Sequence, residues 1–286
     1  MSAVYGGYDQ AELDALYNTR AMVLDHERYT AGFERRSDQV AARHPGHLDL
    51  RYGDHPRQRL DLFLPKGVAD PPVNVFFHGG YWRSADKERY RYLADGFLPA
   101  GAALAVVEYA LIPTVDMDEL LGQCRAAVAW LWAAELPVDR DRIHVSGHSA
   151  GGHIVGMLMA GGWAEAAGLP ADVIKGGCRV SGLYDLEPIR HTYLNDTLAL
   201  DEASARRNSP AHHRPASAAP LVLAVGGEER SEFLRQTELM ERAWREHGCE
   251  PRSMVLDGMH HYSIVESLGD PQAPLTRAVH RQMELV

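Results

Sequence analysis

The sequence predicts an α/β fold in which helices cover both faces of a mostly parallel central sheet. Short apolar runs, such as VNVFFH at positions 73–78, alternate with longer segments of helical periodicity. Two of these runs end directly at glycine pairs, as strands that enter tight loops do. The 286 residues, 45% of them hydrophobic, suffice for one large core, so a single domain over residues 1–286 is expected.

The elements follow in order along the chain. Residues 1–44 are predicted to form a helical cap, because positions 8–44 carry an apolar stripe at helical spacing: Leu13, Leu16, Tyr17, Met22, Val23 and Tyr29. Residues 47–52 and 59–64 alternate apolar and polar around Gly53-Asp54, which predicts an antiparallel hairpin. Apolar runs predict later strands at positions 73–78, 103–109, 142–146, 174–182, 221–225 and 254–256. Longer segments with helical apolar spacing predict helices at positions 118–135, 150–167, 231–247 and 275–285.

Composition narrows the class of ligand and the compartment. The net charge of −10 disfavours nucleic acid and anionic membrane surfaces, because like charges repel. No apolar run approaches the roughly 18 to 20 residues of a membrane span, and residues 1–14 lack a secretory apolar core. The widely spaced Cys124, Cys178 and Cys249 predict a reduced, cytoplasmic protein. No cysteine or histidine spacing suits a metal, so no metal or cofactor is expected, and the sequence leaves a homodimer open.

The pattern Gly-x-Ser-x-Gly at positions 147–151 is the first signal of chemistry. Ser149 lies where a predicted strand ends and a predicted helix begins. Side chains at Gly147 and Gly151 would collide with the backbone of such a turn, which exposes the serine hydroxyl at a helix N-terminus. We interpret Ser149 as a nucleophile, and the alternative is a glycine-rich turn with a capping serine.

A serine nucleophile needs a base, and the base needs a carboxylate to orient it. The stretch DGMHHYS follows the last predicted strand, and within it His261 is preferred as the base over His260. Glu229 is preferred as the acid over Glu228, and Asp257 is a weaker candidate. The chain order serine, acid, histidine is the order found in α/β-hydrolases, so the α/β-hydrolase fold is expected.

The loops after the other strands supply the rest of a candidate site. In HGGYW, at positions 78–82, the N–H groups of Gly79 and Gly80 are expected to form an oxyanion hole together with the Ala150 N–H, while His78 braces the loop. The aromatic residues predicted to line the substrate pocket are Tyr81, Trp82, Tyr184 and Tyr262, with packing as the alternative. The N-terminal helices, including Tyr17 and Arg20, are expected to fold over the site as a lid.

Five segments carry a family resemblance. HGGYW, GHSAGGH, SGLYDLEPI, GGEERSEFLRQ and GMHHYSIVESL resemble, in order, segments of the kynurenine formamidase (arylformamidase) branch of the α/β-hydrolases, over about residues 45–270. The resemblance implies Ser149 as nucleophile, Glu229 as acid and His261 as base. The chain departs from the branch at two places, because the acid is often Asp there and a single histidine is more usual than His260-His261.

The resemblance implies a serine hydrolase that cleaves a small-molecule acyl substrate through an acyl-enzyme intermediate. In that branch the reaction is hydrolysis of N-formylkynurenine to kynurenine and formate, and simple aryl and short-chain esters are also hydrolysed. Two alternatives stay open. One is a general short-chain carboxylesterase with no role in kynurenine metabolism, and the other is a non-catalytic binding protein on a hydrolase scaffold.

Overall fold

Eight strands form one sheet in the computed structural model, which describes residues 3–285. In chain order they are β1 (His47–Arg51), β2 (Arg59–Phe63), β3 (Val73–Phe77), β4 (Ala103–Val107), β5 (Ile143–His148), β6 (Ile174–Val180), β7 (Leu221–Gly226) and β8 (Arg252–Leu256). Their order across the sheet is β1-β2-β4-β3-β5-β6-β7-β8. β1 and β2 form the predicted hairpin, β2 pairs antiparallel with β4, and the remaining pairs are parallel. The predicted α/β-hydrolase fold is confirmed.

Helices cover both faces of this sheet. They are α1 (Gln10–Tyr17), α2 (Thr19–Met22), α3 (His26–Arg43), α4 (Ala94–Phe97), α5 (Met117–Ala133), α6 (Ala150–Met159), α7 (Trp163–Ala166), α8 (Glu187–Arg190), α9 (Asn195–Leu198), α10 (Glu202–Arg207), α11 (Ser231–Arg245), α12 (Ser263–Glu266) and α13 (Pro274–Gln282). Short 3₁₀ helices lie at Lys87–Leu93, Leu98–Ala100, Pro210–His212 and Ser267–Gly269.

The central strands are buried throughout because their side chains pack into two hydrophobic cores, one on each face of the sheet. In β3, Val75 and Phe77 point into a core shared with α5, α6 and α11, whereas Phe76 points into a core shared with α3, α4 and α13. This alternation follows from the period of two along a strand. Burial on both faces explains why the strands appear in the sequence as continuous apolar runs.

The carboxyl ends of the parallel strands all lie at the same end of the sheet. The residues that follow β3, β5, β6, β7 and β8 therefore meet there, although they are far apart in the chain. The loop after β3, at residues 78–80, is called the HGG loop. This convergence brings the HGG loop, Ser149, Glu229 and His261 to the same end of the molecule.

Two sequence predictions of helices are wrong in detail. The segment 8–44 is three helices, because the chain leaves helical geometry at Asn18 and again at Val23. The segment 150–167 is two helices, because the chain becomes extended at Ala160, with ψ 146°, and Gly162, with φ 98°, precedes the second helix. The short helices between β3 and β4 and between β6 and β7 were not predicted.

No helix among the described residues is both long and apolar enough to cross a membrane.

Candidate active site

Ser149 lies on a sharp turn between β5 and α6. Its backbone adopts φ 57° and ψ −119°, a strained conformation for a residue with a side chain. The turn is held in place because the Ser149 N–H donates to the Val180 carbonyl at the end of β6, at 2.8 Å. Strain that the surrounding structure maintains in this way is typical of a nucleophile elbow.

The positions two residues before and after Ser149 have space only for glycine. A Cβ at Gly147 would overlap the Gly151 carbonyl, and a Cβ at Gly151 would overlap the Phe77 carbonyl of β3. Gly79, in the loop after β3, lies so close that its Cβ would stand 3.1 Å from Ser149 Cβ. These glycines therefore bring the turn and the HGG loop into contact at the sheet edge.

His261 and Glu229 form a direct pair beside this turn. The imidazole Nδ1 lies 2.7 Å from Glu229 Oε2, and both side chains are buried. The other carboxylate oxygen, Oε1, accepts from Ser181 Oγ and from the Gly226 N–H. Three partners thus fix the Glu229 carboxylate, which in turn orients the His261 ring.

The alternative candidates for the acid and the base lie outside this pair. The Glu228 and Asp257 side chains are exposed. His260 packs edge-on against Tyr29, with ring centroids 4.8 Å apart, and its Nδ1 accepts from the backbone N–H groups of Tyr262 and Ser263. The geometry therefore pairs Glu229 with His261 and gives His260 a structural role at the start of α12.

Ser149 and His261 line the same cavity, and no hydrogen bond joins their side chains among the described contacts. Hydrogen bonds between a nucleophile and its base are often long without substrate and tighten in the substrate complex.

Two residues of this site were missed in the sequence. Ser181, the Glu229 partner, could have been found from its position directly after β6. His148 precedes Ser149, and its ring centroid lies 4.5 Å from that of His261. Neither ring nitrogen of His148 has a hydrogen-bond partner in the described part of the chain. Burial, assisted by the nearby His261, lowers the pKa of His148 well below its ordinary value, so this ring is neutral.

The N–H groups predicted to form the oxyanion hole lie beside Ser149. Ala150 is the first residue of α6, and Gly79 and Gly80 follow β3 directly. Within residues 3–285, these three N–H groups donate no hydrogen bond. Gly80 has φ 108° and lines the same cavity as Ser149. Among the described residues, the arrangement leaves unpaired N–H donors on the two turns that meet at Ser149, as an oxyanion hole requires.

A buried polar network holds the HGG loop in position. His78 Nε2 lies 3.0 Å from Glu108 Oε1, and His78 Nδ1 lies 2.8 Å from the Gly79 carbonyl. Arg57 donates to the same carboxylate oxygen at 2.6 Å. Burial by itself would raise the pKa of Glu108, but His78 and Arg57 lower it below the ordinary value. The expected bracing role of His78 agrees with these contacts.

The site opens into a cavity of about 700 Å³. Of the four predicted aromatic lining residues, Tyr81 and Tyr262 line it. Trp82 and Tyr184 do not, so the prediction is wrong for both. Trp82 is fully buried and donates to His153 Nδ1 at 3.0 Å, while Tyr184 packs in the core beneath Gly182. Both follow strand ends, but their side chains turn toward the core.

The N-terminal helices cover the cavity. Arg20, His26 and other residues of α2 and α3 line it. Tyr17 is fully buried behind this wall, where its hydroxyl donates to Glu232 Oε2 of α11 at 2.6 Å. The Tyr17 carbonyl accepts from the Tyr81 hydroxyl at 2.5 Å, which joins the cap to the HGG loop.

The fold and the arrangement of these loops define a hydrolase of the α/β-hydrolase class. A family model described as BD-FAE matches residues 60–169. Over 241 residues the chain is 32% identical to the kynurenine formamidase of Danio rerio, covering 80% of this chain and 79% of that protein. It is 31% identical over 248 residues to the kynurenine formamidase of Salmo salar, with 82% and 81% covered. The chain belongs to the kynurenine formamidase family.

Solved structures agree with the α/β-hydrolase fold. A protein of Silicibacter sp. tm1040, provisionally called a thioesterase, is 32% identical and superposes with a TM-score of 0.83 over 93% of this chain and 98% of that one. An esterase from Pyrobaculum calidifontis has a TM-score of 0.69 at 17% identity, covers 91% and 93% of the two chains, and supports the fold alone. The chain is therefore a hydrolase that acts on formyl or ester substrates.

Proposed function

We propose that the chain is a serine hydrolase that cleaves an aryl formamide, with N-formylkynurenine as the substrate and kynurenine and formate as products. The observation that carries the proposal is the meeting of the Ser149 turn and the Glu229–His261 pair at one cavity, in a chain of the kynurenine formamidase family. Cys124, Cys178 and Cys249 are buried and free, which supports a reducing, cytoplasmic location.

In the proposed reaction, His261 takes the Ser149 proton as the hydroxyl attacks the formyl carbon. Glu229 keeps the Nδ1 proton of His261 in place and stabilises the imidazolium that forms. The N–H groups of Gly79, Gly80 and Ala150 bind the oxyanion, and each such donor is worth about 3 to 4 kcal/mol of transition-state stabilisation.

Two steps complete the reaction. As the intermediate collapses, His261 donates its proton to the leaving aryl amine, which departs and leaves a formyl ester on Ser149. Water, deprotonated by the same imidazole, then attacks this ester, and His261 returns that proton to Ser149 Oγ as formate leaves. His261 thus serves both half-reactions.

One experiment tests the reaction type and the substrate together. Purified protein is assayed with N-formylkynurenine, with neutral formanilides and with p-nitrophenyl acetate, beside the Ser149→Ala variant. We expect N-formylkynurenine to have the highest kcat/KM, and Ser149→Ala to lose about 10⁶-fold in kcat without a change in thermal unfolding. Retained turnover in a folded Ser149→Ala variant would remove Ser149 from the mechanism.

A short-chain carboxylesterase is the second candidate, because a structural neighbour at 32% identity is described as a thioesterase rather than a formamidase. A kcat/KM for p-nitrophenyl acetate far above that for every formamide would favour it. If the wild-type protein failed to react with a fluorophosphonate probe, a binding role on a hydrolase scaffold would replace both enzymatic functions.

A further inference from the structure

The cavity above Ser149 is rich in positive charge, although the protein as a whole is acidic. Three arginines line it, Arg20, Arg83 and Arg89, against one carboxylate, Glu27, whose side chain is exposed. The net charge of the chain is −10, so cations are in the minority over the molecule as a whole. A local excess of cations within one cavity of such a protein favours an anionic ligand group there.

The three arginines differ in their partners. Arg89 donates to Glu34 Oε1 at 2.8 Å, so its charge is already compensated. Arg83 has no carboxylate within ion-pair distance in the described part of the chain, and its Nη1 donates instead to the neutral hydroxyl of Thr197 at 3.1 Å. Arg20, which is exposed, likewise has no acidic partner among residues 3–285. Arg83 is therefore an oriented guanidinium with donors and charge still available.

Arg83, Arg20 and Tyr193 line the same cavity. The Arg83 guanidinium lies 5.8 Å from the centre of the Tyr193 ring. Burial and the Asp14 carboxylate, which accepts from the Tyr193 backbone N–H at 2.8 Å, raise the pKa of the Tyr193 phenol, while the charges of Arg83 and Arg20 oppose that rise. Two guanidinium groups from different elements thus share the cavity with one phenol, which can add a neutral hydrogen-bond donor.

The position of Arg83 connects this cationic wall to the reaction centre. Arg83 follows Gly80 by three residues, and its N–H donates to the Gly80 carbonyl at 3.1 Å. A molecule held at Arg83 therefore contacts the same loop that supplies the proposed oxyanion donors. The guanidinium fork matches a carboxylate in shape as well as in charge.

We propose that Arg83, assisted by Arg20 and Tyr193, binds a carboxylate on the leaving-group part of the substrate and so selects acyl compounds that carry this carboxylate over those that lack it. The inference rests on the proposed serine-hydrolase function and adds a specificity-determining residue to it. If Arg83 only tethered its loop to Thr197 of α9, substitution would slow substrates with and without the carboxylate alike.

Two matched substrate pairs test this role. The first is N-formylkynurenine, which is a zwitterion because its α-amino group is free, and its α-carboxamide, which keeps the ammonium and lacks the carboxylate. The second is 3-(4-acetoxyphenyl)propanoate, an anion, and the neutral 3-(4-acetoxyphenyl)propanamide. Within each pair the scissile group is the same, and the members differ by one remote carboxylate. The ratio of kcat/KM for the carboxylate member to that for the carboxamide member is measured in the wild type, in Arg83→Gln and in Arg89→Gln.

We expect the wild type to favour the carboxylate member of each pair by about 10- to 100-fold, the usual value of a hydrogen bond to a charged group. Arg83→Gln should bring the ratio close to one, mainly by raising KM for the carboxylate member. Arg89→Gln should keep the wild-type ratio, because that guanidinium is paired with Glu34. If Arg83→Lys restored part of the wild-type ratio, the positive charge at position 83 would be shown to contribute to the selectivity.

The outcomes separate the two proposals. A wild-type ratio near one, or an Arg83→Gln ratio equal to that of the wild type, overturns the role of Arg83 even if the formamide is cleaved. If neither formamide is cleaved but the ester pair still shows an anion preference that Arg83→Gln removes, the formamidase function fails and the carboxylate site stands.

Discussion

The hydrogen bonds of the Glu229 carboxylate predict how the amide of Glu229→Gln would be oriented. Ser181 Oγ and the Gly226 N–H both donate to Oε1, while Oε2 faces His261 Nδ1. In Glu229→Gln, the amide oxygen would satisfy the two donors, and the NH₂ group would face Nδ1. That contact requires the His261 proton on Nε2, where the ring cannot accept the Ser149 proton.

We therefore expect Glu229→Gln to lower kcat by about 10⁴-fold with little change in thermal stability, because the shape and two of the hydrogen bonds are kept. Glu228→Gln is the matched control, since that neighbouring side chain is exposed, and its kcat should stay within about twofold of the wild type. Turnover of p-nitrophenyl acetate measures both. Equal losses in the two variants would contradict the assignment of the acid.

The candidate site shows which residues a sequence can identify. Ser149 and the glycines beside it were found because a steric requirement fixes both residue type and spacing. The choice of Glu229 over Glu228 agrees with the geometry, but the sequence alone could not exclude either. Trp82 and Tyr184 were assigned wrongly because a position after a strand does not reveal which way a side chain turns. That direction depends on distant partners such as His153.

At the scale of elements, polar contacts attach both α1 and α3 of the cap to the hydrolase core. The Tyr17 hydroxyl at the end of α1 donates to Glu232, and Gln236 donates to that hydroxyl at 3.3 Å. Burial, together with the Glu232 charge, raises the pKa of Tyr17 well above its ordinary value, so the phenol stays protonated and can donate. This contact holds α1 against α11, and the chain that follows α1 lines the cavity.

We expect Tyr17→Phe to loosen α1 locally. A hydrogen bond to a charged group is worth about 1.5 kcal/mol or more, so amide hydrogen exchange within residues 10–17 should accelerate about 10-fold. Tyr8→Phe is the control, because the Tyr8 hydroxyl makes no side-chain hydrogen bond with another described residue. Exchange in β3 and β5 should stay unchanged in both variants. Equal exchange of α1 in the two variants would show that Tyr17 does not hold the cap.

Periodicity in the sequence predicts the long elements of the fold and does not predict the short helices. Buried parallel strands and the long helices α5 and α11 were found near their observed positions, because each buries a full apolar face. The helices α8, α9 and α10 were missed because four to six residues are too short to display a helical period. They form where tertiary contacts hold them, as in α9, where Thr197 accepts from Arg83.

The molecule as a whole buries several histidines in the neutral form, which makes its stability depend on pH. His153 is fully buried, accepts from Trp82 Nε1 at its Nδ1, and donates from Nε2 to the Asn208 carbonyl at 2.6 Å. Burial lowers the pKa of His153 to about 4, and burial lowers that of His144 to about 4 as well. In the unfolded chain both should titrate near the ordinary value of about 6.5.

Between pH 6.5 and 4, the unfolded chain therefore binds protons that the folded protein excludes, so the free energy of unfolding must fall as the pH drops through this window. Each such histidine contributes about 1.4 kcal/mol per pH unit to the slope. His153→Gln keeps an acceptor for Trp82 and a donor for Asn208 but cannot titrate, so urea unfolding at several pH values should show a slope smaller by that amount. His247→Gln, which removes an exposed histidine, should keep the wild-type slope. If His153→Gln and His247→Gln gave the same slope, the neutral His153 would have no part in the acid sensitivity of this fold.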